Sequence, residues 1–381
     1  MPAPAPPLPS AADALRAFVP DGSDLEACFS VRYAQARERF LQAANEAGLA
    51  VASEVHPLAG RDGETLALDV AVEGPAGASR LLLVSSGCHG VEGYAGSGVQ
   101  VAMLRSVAWR EVLRRQGVAV AYLHALNPHG FSHGRRATHE NIDLNRNFVD
   151  FSAPLPRNPG YEALAPLLVP DRWPAGMANL LGLAGHVLRH GLRHAQTAVS
   201  AGQYTHPDGL FYGGAAPSWS QLALRRVLRR LGGSATRLGW IDLHTGLGPR
   251  GVGEAILAGP ASSASRARAW WGPGVTSVDD GSSVSAPLTG LMWQAAVQEC
   301  PQAEFTGIVL EFGTVPMLQV LQALRADQWL QNHPGASAAQ GEAIRRRLRE
   351  VFEVDAPDWR RRVADQAFDA ARRAVEGLGA P

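Results

Sequence analysis

Short runs of apolar residues recur along the chain, and longer segments with helical character separate them. The run at 80–86 (RLLLVSS) is continuous and apolar, as expected for a strand buried on both faces. Further strands are predicted at 65–72, 118–124, 238–243, 253–258 and 307–312. Helices are predicted at 24–48, 98–115, 218–231, 317–330, 338–352 and 358–377. Strands that alternate with helices predict an α/β three-layer sandwich, in which helices cover both faces of a mixed, largely parallel central sheet.

The domain organisation follows from the positions of these segments. The 381 residues are enough for one large domain with a sizeable core. Residues 1–15 are rich in Pro and Ala, and we expect them to be flexible. Residues 16–381 are predicted to form a single catalytic domain. Segment 151–217 is interrupted by Pro and Gly and breaks the rhythm of strands and helices, so it is predicted to be an insertion over one face.

The charge balance and the cysteines exclude several classes of function. The chain has 35 basic and 35 acidic residues, which gives no electrostatic reason to bind nucleic acid or an anionic membrane. Every basic residue is Arg, so lysine-based chemistry is excluded. Three widely spaced cysteines imply no disulfide framework. With neither a signal-peptide pattern nor a stretch of membrane-spanning length, the expected location is cytoplasmic; the oligomeric state is left open.

Polar residues follow the ends of the predicted strands. His89 and Glu92 come after the strand at 80–86, His244 follows 238–243, and Glu311 lies near the end of 307–312. In open α/β sheets, functional sites form at the carboxyl ends of the strands. The sequence therefore predicts that these four candidate residues lie together at one edge of the sheet.

Three of these residues have the chemistry of a zinc site. His89 and Glu92 form a His-x-x-Glu pair among glycines, and residues three apart in a helical turn face the same way. With His244 as a third ligand they give two imidazoles and one carboxylate, a set known from zinc hydrolases that leaves one position open. Two plainer interpretations remain at this point: the pair could be a surface turn, and His244 could be a core histidine bonded to a backbone carbonyl. Such a set also accepts other divalent ions.

A second histidine cluster competes with this site. His186, His190 and His194 are spaced four apart in a segment that could be helical. No acidic residue follows the first of them, and Arg189 and Arg193 nearby favour a solvated face.

Four motifs together resemble the carboxypeptidase A-like zinc metallopeptidase superfamily. The nearest likeness is to a bacterial branch close to the cytosolic carboxypeptidases and to the aspartoacylase/succinylglutamate desuccinylase group. The motifs, in order, are Gly-Cys-His89-Gly-Val-Glu92-Gly, Arg136 ahead of Asn141-Ile-Asp143-Leu-Asn145-Arg146-Asn147-Phe148, Asp242-Leu-His244-Thr-Gly, and Leu310-Glu311-Phe-Gly-Thr. They span most of the chain, and the resemblance implies a zinc carboxypeptidase-like fold with Zn²⁺ as cofactor.

The resemblance also implies a role for each matching residue. His89, Glu92 and His244 match the zinc ligands, and Asp143 matches an acid that holds a ligating histidine by its other ring nitrogen. The remaining matches are Asn145 and Arg146 for the grip on the substrate carboxylate, Arg136 for stabilisation of the oxyanion, and Glu311 for the general base. Arg135 is adjacent to Arg136, and the sequence leaves open an exchange of their roles.

One family residue is missing from this chain. The peptidase members carry a tyrosine between the last zinc ligand and the catalytic glutamate, but no tyrosine follows Tyr212 here. Its role is either unfilled or taken by another residue such as Tyr204, Tyr212 or Arg250. The glycine-bounded loop at 202–214 is rich in aromatic and polar residues; it either lines the pocket or is a plain surface loop.

These features predict a zinc-dependent hydrolase that cleaves an amide bond next to a free carboxylate, with a peptide as substrate. A deacylase of small N-acyl amino acids would use the same metal and base. A catalytically degenerate binding protein is the third alternative, and retention of all three ligands and of Glu311 argues against it.

Overall fold

The computed structural model describes residues 18–75, 77–278, 281–282 and 288–380. These residues form a seven-stranded sheet with the order β1-β2-β4-β3-β5-β7-β6. The strands are β1 (Val51–Ala59), β2 (Thr65–Glu73), β3 (Arg80–Ser86), β4 (Ala119–His124), β5 (Arg237–Gly246), β6 (Gly253–Leu257) and β7 (Glu304–Gly313). The helices are α1 (Gly22–Glu26), α2 (Tyr33–Glu46), α3 (Gly93–Arg105), α4 (Val107–Gln116), α5 (Pro128–His133), α6 (Pro159–Leu168), α7 (Met177–His190), α8 (Leu192–Ser200), α9 (Trp219–Gly232), α10 (Ala264–Trp271), α11 (Gln294–Glu299), α12 (Met317–Asn332), α13 (Ala338–Phe352) and α14 (Pro357–Gly379).

The sheet is mixed, and its parallel part is confined to the centre. Strands β4, β3, β5 and β7 pair in parallel. Strands β1 and β2 add antiparallel pairs at one side, and β6 closes the other side antiparallel to β7. The predicted fold class is confirmed: this is an α/β fold with a mixed central sheet.

Helices cover both faces of the sheet because its central strands are apolar on both sides. Along β3, Leu82 and Val84 enter one core cluster, whereas Leu81 and Leu83 enter the other. This alternation is the period of two that a strand imposes. Residues of α3, α4 and α14 fill the first cluster, and residues of α9 and α11 fill the second.

The structure corrects the predicted elements in three places. The predicted helix at 24–48 is two helices, α1 and α2, and the one at 98–115 is also two. The second break falls at Ser106, whose side chain accepts a hydrogen bond from the Trp109 amide and so begins a new helix. Strand β1 was not predicted, because its residues are mostly exposed and lack an apolar face.

Segment 151–217 carries three helices that pack beside the carboxyl ends of the central strands. Tyr161, Leu164 and Leu168 of α6 lie in one apolar cluster with Leu324 and Phe352 of α12 and α13. Helix α7, by contrast, has no buried residue. We keep the proposal that this segment is an insertion into a single catalytic domain.

The predicted flexible residues 1–15 lie outside the described residues. Among the described helices, none combines the length and the apolar character needed to cross a membrane.

The sheet register determines where the polar residues meet. His244 on β5 and Glu311 on β7 are direct partners in the parallel pairing. Ser86, the last residue of β3, is the partner of Leu243. His89 and Glu92 follow β3 directly, so all four candidate residues lie at one edge of the sheet.

Candidate active site

His89 and Glu92 lie on a tight turn between β3 and α3. Residues Gly90–Glu92 form one turn of 3₁₀ helix, which brings the two side chains to the same side. The turn packs against the backbone of α5, and a Cβ atom at Gly90 would lie 2.0 Å from the carbonyl carbon of Gly130. Glycine is therefore required at position 90 for the turn to reach this position.

The side chains of His89, Glu92 and His244 converge. Nδ1 of His89 lies 2.9 Å from Oε1 of Glu92, and Nδ1 of His244 lies 3.1 Å from Oε2 of the same carboxylate. The potential ligand atoms of the three residues all lie within 4.8 Å of one another. All three side chains are buried.

A second carboxylate holds each of the two imidazoles from behind. Nε2 of His89 lies 3.2 Å from Oδ1 of Asp143 and 2.7 Å from Nη2 of Arg136. Nε2 of His244 lies 2.5 Å from Oδ2 of Asp242. Both rings therefore turn Nδ1 toward Glu92. Such outer carboxylates fix the tautomer and the orientation of metal-binding histidines. Asp242 was missed in the sequence, although its position two residues before His244 on one strand places both side chains on the same face.

Charge pairing dominates the electrostatics of this cluster. Burial acts to raise the pKa of Glu92, but His89, His244 and Arg136 outweigh it and hold the pKa well below the usual value. Burial likewise opposes ionisation of Asp143, and Arg136 and His89 lower its pKa. Asp242 raises the pKa of His244 well above its ordinary value, against the effect of burial.

The donor set fits a divalent transition metal. Nδ1 of His89 is buried and makes no hydrogen bond of acceptable geometry, although a carboxylate oxygen is close. Two imidazole nitrogens and one carboxylate are ligands that zinc prefers. In the described part of the chain, one other group, Cys88 with Asp242 and His244, also brings ligand atoms together. Burial raises the pKa of the Cys88 thiol to about 12.

Arg136 lies inside the cluster, whereas Arg135 does not. The Arg136 guanidinium donates to Oε1 of Glu92 at 2.8 Å and to Oδ2 of Asp143 at 3.1 Å. Arg135 instead pairs with Asp327 at 3.3 Å, on the far side of the turn. Arg136 lines the central cavity, and Arg135 is absent from its lining.

Asn145 and Arg146 lie on the wall of the same cavity. Oδ1 of Asn145 accepts a hydrogen bond of 2.9 Å from the Met292 amide. Arg146 donates from Nε and Nη2 to the carbonyl of Ser200, at 3.1 and 2.7 Å. Its hydrogen bonds within the described chain go to carbonyl oxygens, and the charges of Asp143 and Arg136 also act on its guanidinium.

The ring of Phe211 is close to both site arginines. The guanidinium carbon of Arg136 is 5.4 Å from the ring centre, and that of Arg146 is 5.8 Å from it. Both distances are in the range of cation–π contacts. The φ angle of Phe211 is 54°, which is unusual for a bulky residue.

Glu311 faces the cluster from the neighbouring strand. Its Oε1 accepts a hydrogen bond of 2.9 Å from the Leu247 amide. Burial, together with the charge of Glu92, raises the pKa of Glu311 to about 7. A carboxyl group with a pKa near neutrality can both accept and return a proton at physiological pH.

None of the three residues suggested for the role of the missing tyrosine lines the cavity. The hydroxyl of Tyr204 donates to the Arg146 carbonyl at 2.6 Å, Tyr212 is buried, and Arg250 pairs with Asp358 at the surface. From the loop at 202–214, the side chain that reaches the cavity is Phe211.

The rival histidine cluster is divided between two helices. His186 and His190 lie on α7, and His194 lies on α8 beyond the break at Gly191. Their ring centres are 4.5–6.3 Å apart. In the described residues they are not a group whose ligand atoms converge.

The site opens into a cavity of about 880 Å³. His89, Glu92, His244, Glu311 and Arg146 give it a polar centre, and apolar side chains form most of the remaining wall. A large apolar cavity with a few convergent polar groups is typical of a small-molecule or substrate site.

Comparisons with solved structures identify the fold. The thrombin activatable fibrinolysis inhibitor (TAFI) superposes with a TM-score of 0.53 and 10% identity, covering 97% of this chain and 83% of its own. Carboxypeptidase A from Helicoverpa armigera gives a TM-score of 0.46 and 12% identity, covering 91% of this chain and 74% of its own. The fold is carboxypeptidase-like, as the sequence resemblance implied.

A search of the curated proteins found no match to this chain. The family model described as "Protein of unknown function (DUF2817)" matches residues 29–366, which is most of the sequence. The chain therefore belongs to the DUF2817 family.

Proposed function

We propose that this protein is a zinc-dependent hydrolase that cleaves an amide bond next to a free carboxylate. The observation that carries the proposal is the position of Glu311 directly opposite His244 across the β5–β7 pair. This pairing puts a carboxyl group with a pKa of about 7 beside the convergent donors of His89, Glu92 and His244.

In this proposal His89 and His244 hold the metal through Nδ1, together with the carboxylate of Glu92. Asp242 orients the His244 imidazole through Nε2, and Asp143 and the Arg136 guanidinium both lie against Nε2 of His89. Zinc, when bound, supplies Lewis-acid polarisation of the carbonyl and lowers the pKa of a water molecule.

Four residues around the metal ligands are assigned to proton transfer, charge stabilisation and substrate binding. Glu311 takes a proton from the attacking water and later delivers it to the leaving amine. Arg136 stabilises the negative charge that develops on the carbonyl oxygen. Asn145 and Arg146 hold the substrate carboxylate, which fixes the amide in place before reaction. The position of Arg146 supports this assignment, since this buried cation lines the cavity beside the convergent donors.

A deacylase acting on N-acyl amino acids is the second candidate, because the same residues serve both reactions. The lining of the cavity favours keeping it, since most of the wall is apolar and an aliphatic acyl group needs no hydrogen-bonding partner there. The two candidates differ only in what lies on the acyl side of the bond.

The test compares wild-type protein with Glu311→Gln. Both proteins are loaded with zinc, the bound metal is counted, and a panel of peptides and N-acyl amino acids is screened for hydrolysis. We expect about one zinc per chain in both proteins and a loss of turnover of at least about a hundredfold in the variant. Glu350→Gln is the matched control, because Glu350 is exposed on α13. Loss of zinc from Glu311→Gln would make Glu311 a ligand, and turnover equal to wild type would remove it from the reaction.

A further inference from the structure

The apolar lining of the cavity comes from two parts of the fold. One region of the cavity is bounded by strands β5, β6 and β7 and by residues 288–293. The other region, which we name the helical lobe, is bounded by α6, α7, α8, α12 and the end of α13. Glu311 lies near the carboxyl end of β7, so the helical lobe extends beyond the ends of the strands.

The wall of the helical lobe contains no charged side chain among the described residues. Leucine, valine, alanine, methionine and phenylalanine side chains dominate it, for example Leu164, Leu183, Val187, Val199, Leu321 and Phe352. Its polar side chains are Gln196, Ser200 and Gln322. Burial of apolar ligand surface in the lobe is therefore favourable, and the wall offers few hydrogen-bonding groups to a ligand.

This wall suits a methylene chain better than a peptide. Its segments are helices, whose interior backbone groups already bond to one another. Strand β7 is flanked by β5 and β6, so it offers no free edge to an extended peptide. The amide groups of a peptide placed here would lose water without finding partners, and each such loss costs about 1–3 kcal/mol. An aliphatic chain carries no such groups.

The mouth of the lobe is apolar as well. Leu188 and Leu192 line the cavity while being 87% and 60% exposed. A chain that leaves the lobe between α7 and α8 would cover part of this surface. The same helices carry exposed Arg189 and Arg193, and no acidic residue occurs from 172 to 207.

We propose that the substrates are N-acyl amino acids with a long aliphatic acyl chain, which lies in the helical lobe. The proposal rests on the proposed amide hydrolase function and names the acyl half of its substrate. Water adds its hydroxyl to the acyl carbon and its proton to the amine as the C–N bond breaks. The products are a long-chain carboxylate and a free amino acid, and no further reactant is needed.

The test uses zinc-loaded full-length protein and one amino acid acylated with acetyl, hexanoyl, decanoyl or tetradecanoyl groups, all below their micelle concentrations. We expect kcat/KM to rise with chain length by up to about fourfold for each buried methylene, which is the ratio given by methylene transfer from water. A peptide ending in the same amino acid is expected to react more slowly than the tetradecanoyl substrate.

A pair of variants on α7 locates the effect. Leu188→Asp replaces an apolar contact at the mouth of the lobe with a charge, and we expect the tetradecanoyl-to-acetyl ratio of kcat/KM to fall by about tenfold. Leu181→Asp is the matched control, because Leu181 is 64% exposed on the same helix but does not line the cavity. The ratio for this control should equal that of wild type.

The outcomes separate this inference from the proposed function. Equal kcat/KM for acetyl and tetradecanoyl substrates, or faster cleavage of the peptide, would overturn the acyl-chain inference and leave an amide hydrolase. Hydrolysis of no member of the series by zinc-loaded protein would overturn the proposed function, and the inference with it. Equal effects of Leu188→Asp and Leu181→Asp would move the acyl chain out of the helical lobe.

Discussion

The Asp242 carboxylate lies 2.5 Å from Nε2 of His244, two residues further along the same strand. The second oxygen of Asp242 accepts a 2.5 Å hydrogen bond from the hydroxyl of Ser85 on β3. Ser85 therefore holds one oxygen of Asp242 in place, while the other oxygen orients the imidazole of His244. The orientation of His244 depends on a residue that would not itself touch the metal.

From this arrangement we predict that Asp242→Asn weakens metal binding by about 10–100-fold, the usual effect of removing such a partner. The amide oxygen of the introduced asparagine would accept a weaker hydrogen bond from the Nε2–H group of His244 than the carboxylate of Asp242 does. Zinc affinity is measured by competition with a chelating dye. Asp150→Asn, at an exposed loop position, is the control. An unchanged affinity in Asp242→Asn would mean that His244 is held by the fold alone.

Arg146 gives a prediction about substrate recognition. We expect Arg146→Gln to reduce kcat/KM by about 10–100-fold for substrates with a free carboxylate, because a charged hydrogen-bonding partner is lost. Substrates whose carboxylate is amidated should react equally poorly with the wild type and the variant. Steady-state kinetics on matched acid and amide substrates measures both. A proportional loss on acid and amide substrates would point to a disturbed fold, which circular dichroism would detect.

His124 predicts a pH dependence of stability that is separate from the metal site. It is fully buried at the end of β4, and Nε2 lies 2.9 Å from the Ser97 hydroxyl. Burial lowers its pKa from 6.5 to about 4. Between these values the unfolded chain binds a proton that the native chain does not. The contribution of neutral His124 to the free energy of unfolding is therefore fully present above pH 6.5. As the pH falls to 4, this free energy decreases by about 3 kcal/mol.

The measurement is urea unfolding of chelator-treated protein at several pH values across this window. In His124→Gln the decrease in unfolding free energy toward low pH should be smaller than in wild type by about 3 kcal/mol. His190→Gln, at an exposed position on α7, should keep the wild-type slope. Identical slopes in all three proteins would show that His124 does not carry this pH dependence.

Arg325 connects α12 to segment 151–217. It is fully buried and donates to the carbonyls of Leu168 at 2.8 Å and Leu167 at 2.9 Å, at the end of α6. Arg325→Met leaves these carbonyls without a cation, and we expect a loss of about 2–4 kcal/mol in unfolding free energy. Hydrogen exchange should rise first in α6. Arg346→Met, an exposed change on α13, should alter neither quantity; equal exchange in α6 for both variants would contradict the prediction.

The sequence predicted the central sheet well because buried parallel strands are continuous apolar runs. The run at 80–86 coincides with β3, and the predictions for β2, β4, β5, β6 and β7 differ from the structure by at most a few residues at the ends. Strand β1 had no such signal, since it is an edge strand with Pro57 and exposed side chains. Backbone pairing with β2 stabilises this strand, and such pairing leaves no pattern in the sequence of β1 itself.

The sequence indicated His89, Glu92 and His244 as a group, and the structure brings them together. This was possible because each lies near or just beyond the carboxyl end of a central strand, where the topology of the sheet brings such residues close together. The roles of Arg135 and Arg136 could not be separated, because neighbouring residues in a loop have no fixed direction until the loop is folded. The apolar helical lobe was also hidden, since its wall comes from five helices that are distant in the sequence.

Phe211 couples the two cationic groups of the site to the loop at 202–214. Its ring centre lies 5.4 Å from the guanidinium carbon of Arg136 and 5.8 Å from that of Arg146. One side chain of this loop therefore contacts both arginines, so a shift of the loop would act on the oxyanion partner and on the carboxylate partner of the proposed reaction together.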